Sequence, residues 1–184
     1  MMRKTVFATL LALPLIFSAC SEDTAQDPNE ILTKHQYTLI DLQTKQHTVT
    51  KETDGFALQE AGDKIVLFDI FATWCPPCQA GASHLSSLQE KYKDDLVVIG
   101  VTIEDTITNE KLAEFQKNYT ANYAISNAKD NRRLVDAIAT QLNLGERFPI
   151  PVIAMYKNGK LVNHYLGTIH EEFIESDIKQ ALGK

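Results

Sequence analysis

The sequence has few cysteines and histidines, no excess of basic residues and no internal repeat, and these scarcities exclude several classes of protein. Its 18 Lys and Arg stand against 24 Asp and Glu, which gives a formal net charge of -6. Because a nucleic-acid-binding protein needs a basic face to neutralise phosphates, we expect no nucleic-acid partner. Apolar residues make up 44% of the 184 residues, so the chain is neither disordered nor wholly membrane-embedded, and its length suits one domain.

Only three cysteines occur, Cys20, Cys75 and Cys78, and the last two are separated by two residues. A structural zinc site ordinarily adds a second close pair of Cys or His ligands. The histidines form no such pair; they are His35, His47, His84, His164 and His170. We therefore expect no metal and no other cofactor. Half of a zinc site remains an alternative, as does a structural disulfide, although closing so short a loop would constrain the unfolded chain little.

The N-terminus has the organisation of an export signal rather than of a folded domain. Arg3 and Lys4 precede a mostly apolar stretch at 6–19 that is too short to span a bilayer comfortably. The segment FSAC at 17–20 resembles a bacterial lipoprotein signal, in which cleavage precedes a lipid-modified cysteine. The resemblance implies a signal peptide at 1–19, a lipid anchor on Cys20 and an exported protein that faces the periplasm or the extracytoplasmic space. An ordinary signal peptide and an uncleaved anchor are the alternatives.

The remainder divides into a polar tether and a globular region. Residues 20–34 comprise Cys20 and an acidic segment without helical or strand periodicity. Residues 35–184 alternate apolar strands with amphipathic helices, which predicts an α/β fold with a mixed central sheet covered on both faces. We predict strands at 37–42, 47–50, 65–72, 96–103, 122–126, 152–156 and 161–166, and helices from the cysteine pair to about 92 and at 110–119, 131–144 and 171–182. The first two strands form an N-terminal hairpin.

The spacing of Cys75 and Cys78 suits redox chemistry at the start of a helix. Unpaired backbone N–H groups and the helix dipole favour a thiolate at the first cysteine, which makes Cys75 the nucleophile and Cys78 the resolving cysteine. Pro76 and Pro77 are tolerated in the first helical turn, where a missing N–H is no loss.

The segment FATWCPPC at 71–78, directly after a buried strand, resembles the active site of thioredoxin-fold proteins. It is most similar to the exported thioredoxin-like reductases used in bacterial cytochrome c maturation and related tasks. Ile150-Pro151 before the strand at 152–156, and the NGK turn at 158–160, resemble the cis-proline strand and terminal hairpin of that fold. The resemblance covers 35–184 and implies a three-layer α/β/α architecture with a redox-active Cys75–Cys78 disulfide.

The resemblance also implies a substrate-binding surface. Pro151 would be in cis against the disulfide, with Pro149 as the competing candidate. Its neighbour Ile150 would offer backbone N–H and C=O groups to an extended substrate segment. Trp74 would pack over the disulfide and, with Pro76 and Pro77, shape access to it.

Asp69 lies six residues before Cys75 and matches the buried acid that assists proton transfer at the second cysteine of thioredoxin. The residues alone favour the same role, because a carboxylate within an apolar strand has a raised pKa and can accept a proton near neutral pH. The alternative is a solvated carboxylate at a strand edge. The lysine partner of thioredoxin's acid would fall near Gly100 and is therefore missing.

The sequence thus favours a membrane-tethered reductase of exported proteins that contain cysteine pairs, with apocytochrome c as a candidate substrate and a membrane component as its electron donor. No Lys, Arg or His lies within three residues of Cys75, which argues against a strongly stabilised thiolate and hence against a strong oxidant. An oxidase or isomerase using the same site, and a non-catalytic metal-delivery or peptide-binding module, are the alternatives. We expect a monomer.

Overall fold

The computed structural model describes residues 35–184; the predicted signal peptide, Cys20 and the tether to residue 34 lie outside the described residues. The elements follow in the order β1 (Gln36–Ile40), β2 (Gln46–Lys51), β3 (Phe56–Leu58), β4 (Ile65–Phe71), α1 (Pro76–Lys91), β5 (Leu96–Thr102), α2 (Asn109–Tyr119), β6 (Ala124–Ser126), α3 (Asn131–Gln141), β7 (Val152–Lys157), β8 (Lys160–Leu166) and α4 (Glu171–Leu182).

The central sheet has five strands in the order β6-β5-β4-β7-β8. Strand β4 runs parallel to β5 and antiparallel to β7, so the sheet is mixed. All seven residues of β4 are buried, as its nearly continuous apolar sequence predicts for a strand covered on both faces. This register places Asp69 of β4 between Gly100 of β5 and Ile153 of β7.

Alternate residues of β4 enter two separate hydrophobic layers. Ile65, Leu67 and Phe71 pack with residues of α1, α2 and α4, whereas Val66, Phe68 and Ile70 pack with residues of α3 and the N-terminal strands. Each large apolar side chain buried in this way stabilises the fold by about 1.5–3 kcal/mol. The predicted α/β class, with a mixed sheet between two covering layers and an N-terminal hairpin, is confirmed.

The N-terminal strands form a second sheet in the order β1-β2-β3. The sequence predicts the β1–β2 hairpin but not β3, which has only three residues and is held by packing. Its Phe56 ring makes edge contacts with the rings of Tyr37 and Tyr156. Local periodicity over three residues cannot indicate such a strand, because tertiary contacts determine it.

A buried histidine stabilises this second sheet. His47 of β2 lies between two carboxylates: its Nε2 is 3.0 Å from Asp41, and its Nδ1 contacts Glu60. The other oxygen of Asp41 accepts hydrogen bonds from the backbone N–H groups of Gln43 and Lys45 in the β1–β2 turn. His47 thus supplies a hydrogen-bond partner to the buried carboxylate of Asp41. This role is structural, since His47 lies in the second sheet.

Candidate active site

Cys75 and Cys78 are joined by a disulfide at the N-terminus of α1, with Cα atoms 5.3 Å apart. Cys75 is the N-cap residue in an extended conformation, and Pro76 and Pro77 occupy the first two helical positions. Because prolines have no N–H, the first N–H of α1 belongs to Cys78, and it points to the sulfur of Cys75 at 3.3 Å. Negative charge on that sulfur would be stabilised by this N–H and by the helix dipole.

The segment that leads into β7 supplies the opposite wall of the site. The Ile150–Pro151 peptide bond is cis, so the cis bond falls at Pro151 rather than at Pro149. The carbonyl oxygen of Ile150 lies 3.6 Å from Sγ of Cys75. The carbonyl oxygen of Pro151 accepts a hydrogen bond from the N–H of Gly167 at the end of β8, which connects this wall to the terminal hairpin.

Trp74 is 65% exposed directly before the disulfide. Most of the surface of Trp74 therefore faces solvent, and packing of its ring over the disulfide stays a prediction. A shallow apolar hollow lies beside the disulfide, and Pro77, Gly81, His84, Pro151 and Ile169 contribute to its lining. His84 is exposed on α1 and has no contact with the cysteines among those described.

Glu104 is a residue that the sequence analysis misses. It follows β5, and its carboxylate accepts hydrogen bonds from both the backbone N–H (2.6 Å) and the hydroxyl (3.1 Å) of Thr73. The carbonyl oxygen of Thr73 accepts a further hydrogen bond from Gln79 of α1 at 2.7 Å. Three polar groups of Thr73 are therefore held from two sides, which fixes the loop that carries Trp74 and Cys75. Adjacent parallel strands end at the same sheet edge, and this rule could have drawn attention to an acid directly after β5.

Asp69 is only 3% exposed, so the alternative of a solvated carboxylate at a strand edge is wrong. It lies on the same face of β4 as Leu67 and Phe71, which is the face that α1 covers. Burial raises the pKa of Asp69 from 3.8 to about 7, and the hydrogen bond from Tyr123 opposes this shift. The acid is therefore able to gain and lose a proton near neutral pH.

Tyr123, whose side chain contacts Asp69, is also absent from the sequence predictions. Its hydroxyl donates a 2.9 Å hydrogen bond to a carboxylate oxygen of Asp69. Burial and the neighbouring Asp69 carboxylate raise the pKa of Tyr123 well above 10, so its hydroxyl remains a donor when Asp69 is ionised. This position precedes β6, and 54 residues of sequence separate the two side chains.

Solved structures with a similar fold are themselves thiol:disulfide proteins. A thiol:disulfide interchange protein of the thioredoxin family from Chlorobium tepidum TLS is 16% identical, with a TM-score of 0.64, and the match covers 80% of this chain and 94% of that chain. A thiol:disulfide interchange protein from Bacteroides sp. is 16% identical with a TM-score of 0.61, and the match covers 81% of this chain and 87% of that chain. At these identities the likeness establishes the thioredoxin-like fold.

Among curated relatives, the thioredoxin-like protein YneN of Bacillus subtilis is 34% identical over 70 residues, which cover 38% of this chain and 41% of the relative. The chain spans about half or less of the length of the first curated relatives that it matches. A family model described as Redoxin matches residues 23–182, which is most of the sequence and includes the cysteine pair. The chain therefore belongs to the Redoxin family.

Proposed function

We propose that this protein is a thiol:disulfide oxidoreductase that reduces disulfides in exported proteins through Cys75 and Cys78. The observation that carries the proposal is the disulfide at the N-terminus of α1, where the N–H of Cys78 faces the sulfur of Cys75. A purely structural disulfide closing a loop of this length would stabilise the fold little. The same bond in a Redoxin-family chain, above an acid able to exchange a proton near neutral pH, suits a reversible redox step.

The reaction begins with the reduced protein. The Cys75 thiolate attacks one sulfur of a substrate disulfide, and the other substrate sulfur leaves as a thiolate that takes a proton from water. Cys78 then gives its proton to Asp69 and attacks Sγ of Cys75. This second exchange forms the Cys75–Cys78 disulfide and breaks the mixed disulfide. The second substrate sulfur leaves as a thiolate that takes a proton from water, so two electrons pass from the protein to the substrate.

The substrate segment would lie in extended conformation along residue 150. The Ile150 carbonyl already faces the Cys75 sulfur, which places an acceptor of backbone hydrogen bonds beside the reacting atom. Pro76 and Pro77 contribute no N–H groups that would need partners, and the exposed ring of Trp74 offers an apolar contact at the rim. Recognition would therefore depend on the substrate backbone more than on its side chains.

The reduction potential of the Cys75–Cys78 pair decides the direction of exchange. We expect a value of about -270 mV, like that of thioredoxin, because one N–H and the helix dipole stabilise the thiolate and no Lys, Arg or His lies within three residues of Cys75 in the sequence. Equilibration of the purified protein with dithiothreitol or glutathione buffers, followed by Trp74 fluorescence or thiol alkylation, gives this value.

Two other results would each overturn the reductase proposal. A potential of about -120 mV would indicate an oxidase or isomerase that uses the same site. The absence of any reversible two-electron transition would favour the non-catalytic module. A metal-delivery module would need further ligands, since residues 35–184 contain no group of three or more His, Cys, Asp or Glu placed to hold a metal.

We also propose that lipid on Cys20 anchors the protein outside the cytoplasm. Within residues 35–184 no helix is long and apolar enough to cross a membrane. Two acyl chains give stable membrane attachment, and fifteen residues at 20–34 extend at most about 50 Å. The domain could therefore act on substrates near the membrane and receive electrons from a membrane donor.

Replacing Cys20 with serine should release the protein from the membrane fraction. Lipoprotein processing requires the thiol, so the variant would lack the acyl chains that hold the wild-type protein. Fractionation, together with intact-mass measurement of the wild-type N-terminus, checks this result. A wild-type protein without the mass of attached lipid, or a variant that remains fully membrane-bound, would contradict the anchor.

A further inference from the structure

We infer that Tyr123 is the positioning residue for Asp69, holding the carboxylate in place as the proton acceptor for Cys78. The inference rests on the proposed function, since it assigns a partner to the acid used in the resolving step. It begins from the buried contact between a phenol hydroxyl and a carboxylate oxygen, 2.9 Å apart, which connects the segment before β6 to the centre of β4.

The sheet itself is shaped to admit this tyrosine. Gly100 is the residue of β5 that pairs with Asp69. A Cβ atom at position 100 would lie 3.2 Å from Cε2 of Tyr123 and 3.1 Å from Cγ1 of Ile125, which is tighter than ordinary packing. The glycine therefore leaves the space that the aromatic ring of Tyr123 occupies, and the ring carries its hydroxyl to the acid.

The remaining neighbours of Asp69 supply no charge. Gly100 and Ile153 flank it in the sheet, and the buried residues of the covering helix are Cys78, Ala82, Leu85, Ser86 and Leu88. Among the described residues, Tyr123 is thus the titratable side chain that hydrogen-bonds to Asp69, and no charged group contributes to the shift in the Asp69 pKa. A hydrogen bond to the ionised form favours that form, whereas burial disfavours it.

This arrangement differs physically from an acid paired with a lysine. A neutral phenol donates one hydrogen bond without cancelling the charge, so ionised Asp69 leaves one net negative charge in the core. Burial then keeps the pKa of Asp69 at about 7, while the phenol prevents it from rising further. The acid remains half-ionised near neutral pH, where an acceptor for the Cys78 proton is most effective.

The test is the variant Tyr123→Phe, which retains the ring and removes the hydroxyl. We expect the titration midpoint of Asp69 to rise by about one pH unit, which is a tenfold change in the ratio of ionised to protonated acid. The carboxyl-carbon NMR signal of Asp69 in the whole oxidised protein measures the midpoint without any activity. The resolving step should slow about fivefold at pH 7 and recover above about pH 9.

Tyr156→Phe is the matched control. Its hydroxyl donates a hydrogen bond of similar length, 2.8 Å, to Gln141, and its ring packs in the layer on the other face of the sheet. This variant should leave the Asp69 midpoint unchanged. Gly100→Ala is a second variant, which retains both polar groups but displaces the ring of Tyr123 and should also raise the midpoint.

An unchanged midpoint in Tyr123→Phe, or an equal shift in Tyr156→Phe, would overturn the inference. The proposed function is tested by a separate measurement, the disulfide exchange activity of the wild-type protein. A wild-type protein without exchange activity rejects the function, yet the NMR midpoints still decide whether Tyr123 governs the protonation of Asp69. Normal exchange with an unshifted midpoint leaves the function standing and rejects Tyr123 as the positioning residue.

Discussion

Replacing Cys78 with serine should convert the protein into a covalent trap for its substrates. The variant retains the Cys75 thiol at the N-cap of α1, so attack on a substrate disulfide should proceed within a few-fold of the wild-type rate. It lacks the thiol that would release the mixed disulfide. In the wild type the resolving sulfur is preorganised within the same helical turn, with Cα atoms 5.3 Å apart. Such positioning is worth many orders of magnitude in effective concentration, so turnover should fall at least about a hundredfold.

The matched control is Cys75→Ser, which retains Cys78 and loses the proposed nucleophile. We expect neither turnover nor a mixed disulfide from this variant. Non-reducing electrophoresis and mass spectrometry with a model protein disulfide would read both results. A trap formed by Cys75→Ser and not by Cys78→Ser would reverse the two roles and contradict the assignment of Cys75 as the nucleophile.

The same trap bears on the substrate class. When the full chain is expressed in the cell, Cys78→Ser should retain exported proteins that contain cysteine pairs if the proposed function holds, and apocytochrome c is a candidate among them. The backbone contact proposed at Ile150 requires only an extended segment, so several substrates are compatible with the site. Mixed disulfides confined to one protein would instead indicate recognition by side chains around the hollow beside Pro77 and His84.

The fold and the reactive pair were accessible from the sequence because their signals are local. A nearly continuous apolar run from Ile65 to Phe71 indicates a strand buried on both faces, and the structure has that strand at the sheet centre. The prolines after Cys75 indicate a helix start, which is where α1 begins.

The supporting residues were not accessible because their contacts are long-range. Thr73 and Glu104 are 31 residues apart, and Asp69 and Tyr123 are 54 residues apart. No periodicity connects such positions; only the pairing of β4 with β5, and of β5 with β6, brings them together. The lysine partner of thioredoxin's acid is missing near Gly100, but the sequence does not reveal that the ring of Tyr123 fills the space.

Replacing Asp69 with asparagine should stabilise the protein while slowing its chemistry. Burial raises the pKa of Asp69 to about 7 in the folded state, against 3.8 as its ordinary value. The folded state therefore binds the proton more tightly than the unfolded state. The contribution of Asp69 to the free energy of unfolding is then highest below about pH 4, falls as pH rises to about 7, and changes little above that. A difference of about three pH units corresponds to at most about 4 kcal/mol.

Asparagine does not ionise, so Asp69→Asn should lack this loss of stability. Urea unfolding of the oxidised protein gives the difference in the free energy of unfolding between variant and wild type. At pH 4 this difference is the offset that the substitution itself causes, because Asp69 is protonated in the folded wild type. At pH 8 the variant should gain several kcal/mol relative to that offset. The exposed Asp105 provides the control, since Asp105→Asn should follow the wild-type pH dependence. Parallel curves for Asp69→Asn and the wild type would contradict a buried acid that titrates near neutrality.

The same substitution should slow the resolving step, because the Cys78 proton loses its acceptor. We expect a decrease of about ten- to a hundredfold at pH 7, with the mixed disulfide on Cys75 accumulating, and a rate that depends on hydroxide at higher pH. Stopped-flow measurement of substrate release separates this step from the initial attack, which should change little. Greater stability together with slower resolution distinguishes a proton acceptor from a residue needed only for folding, since loss of a purely structural residue would lower both.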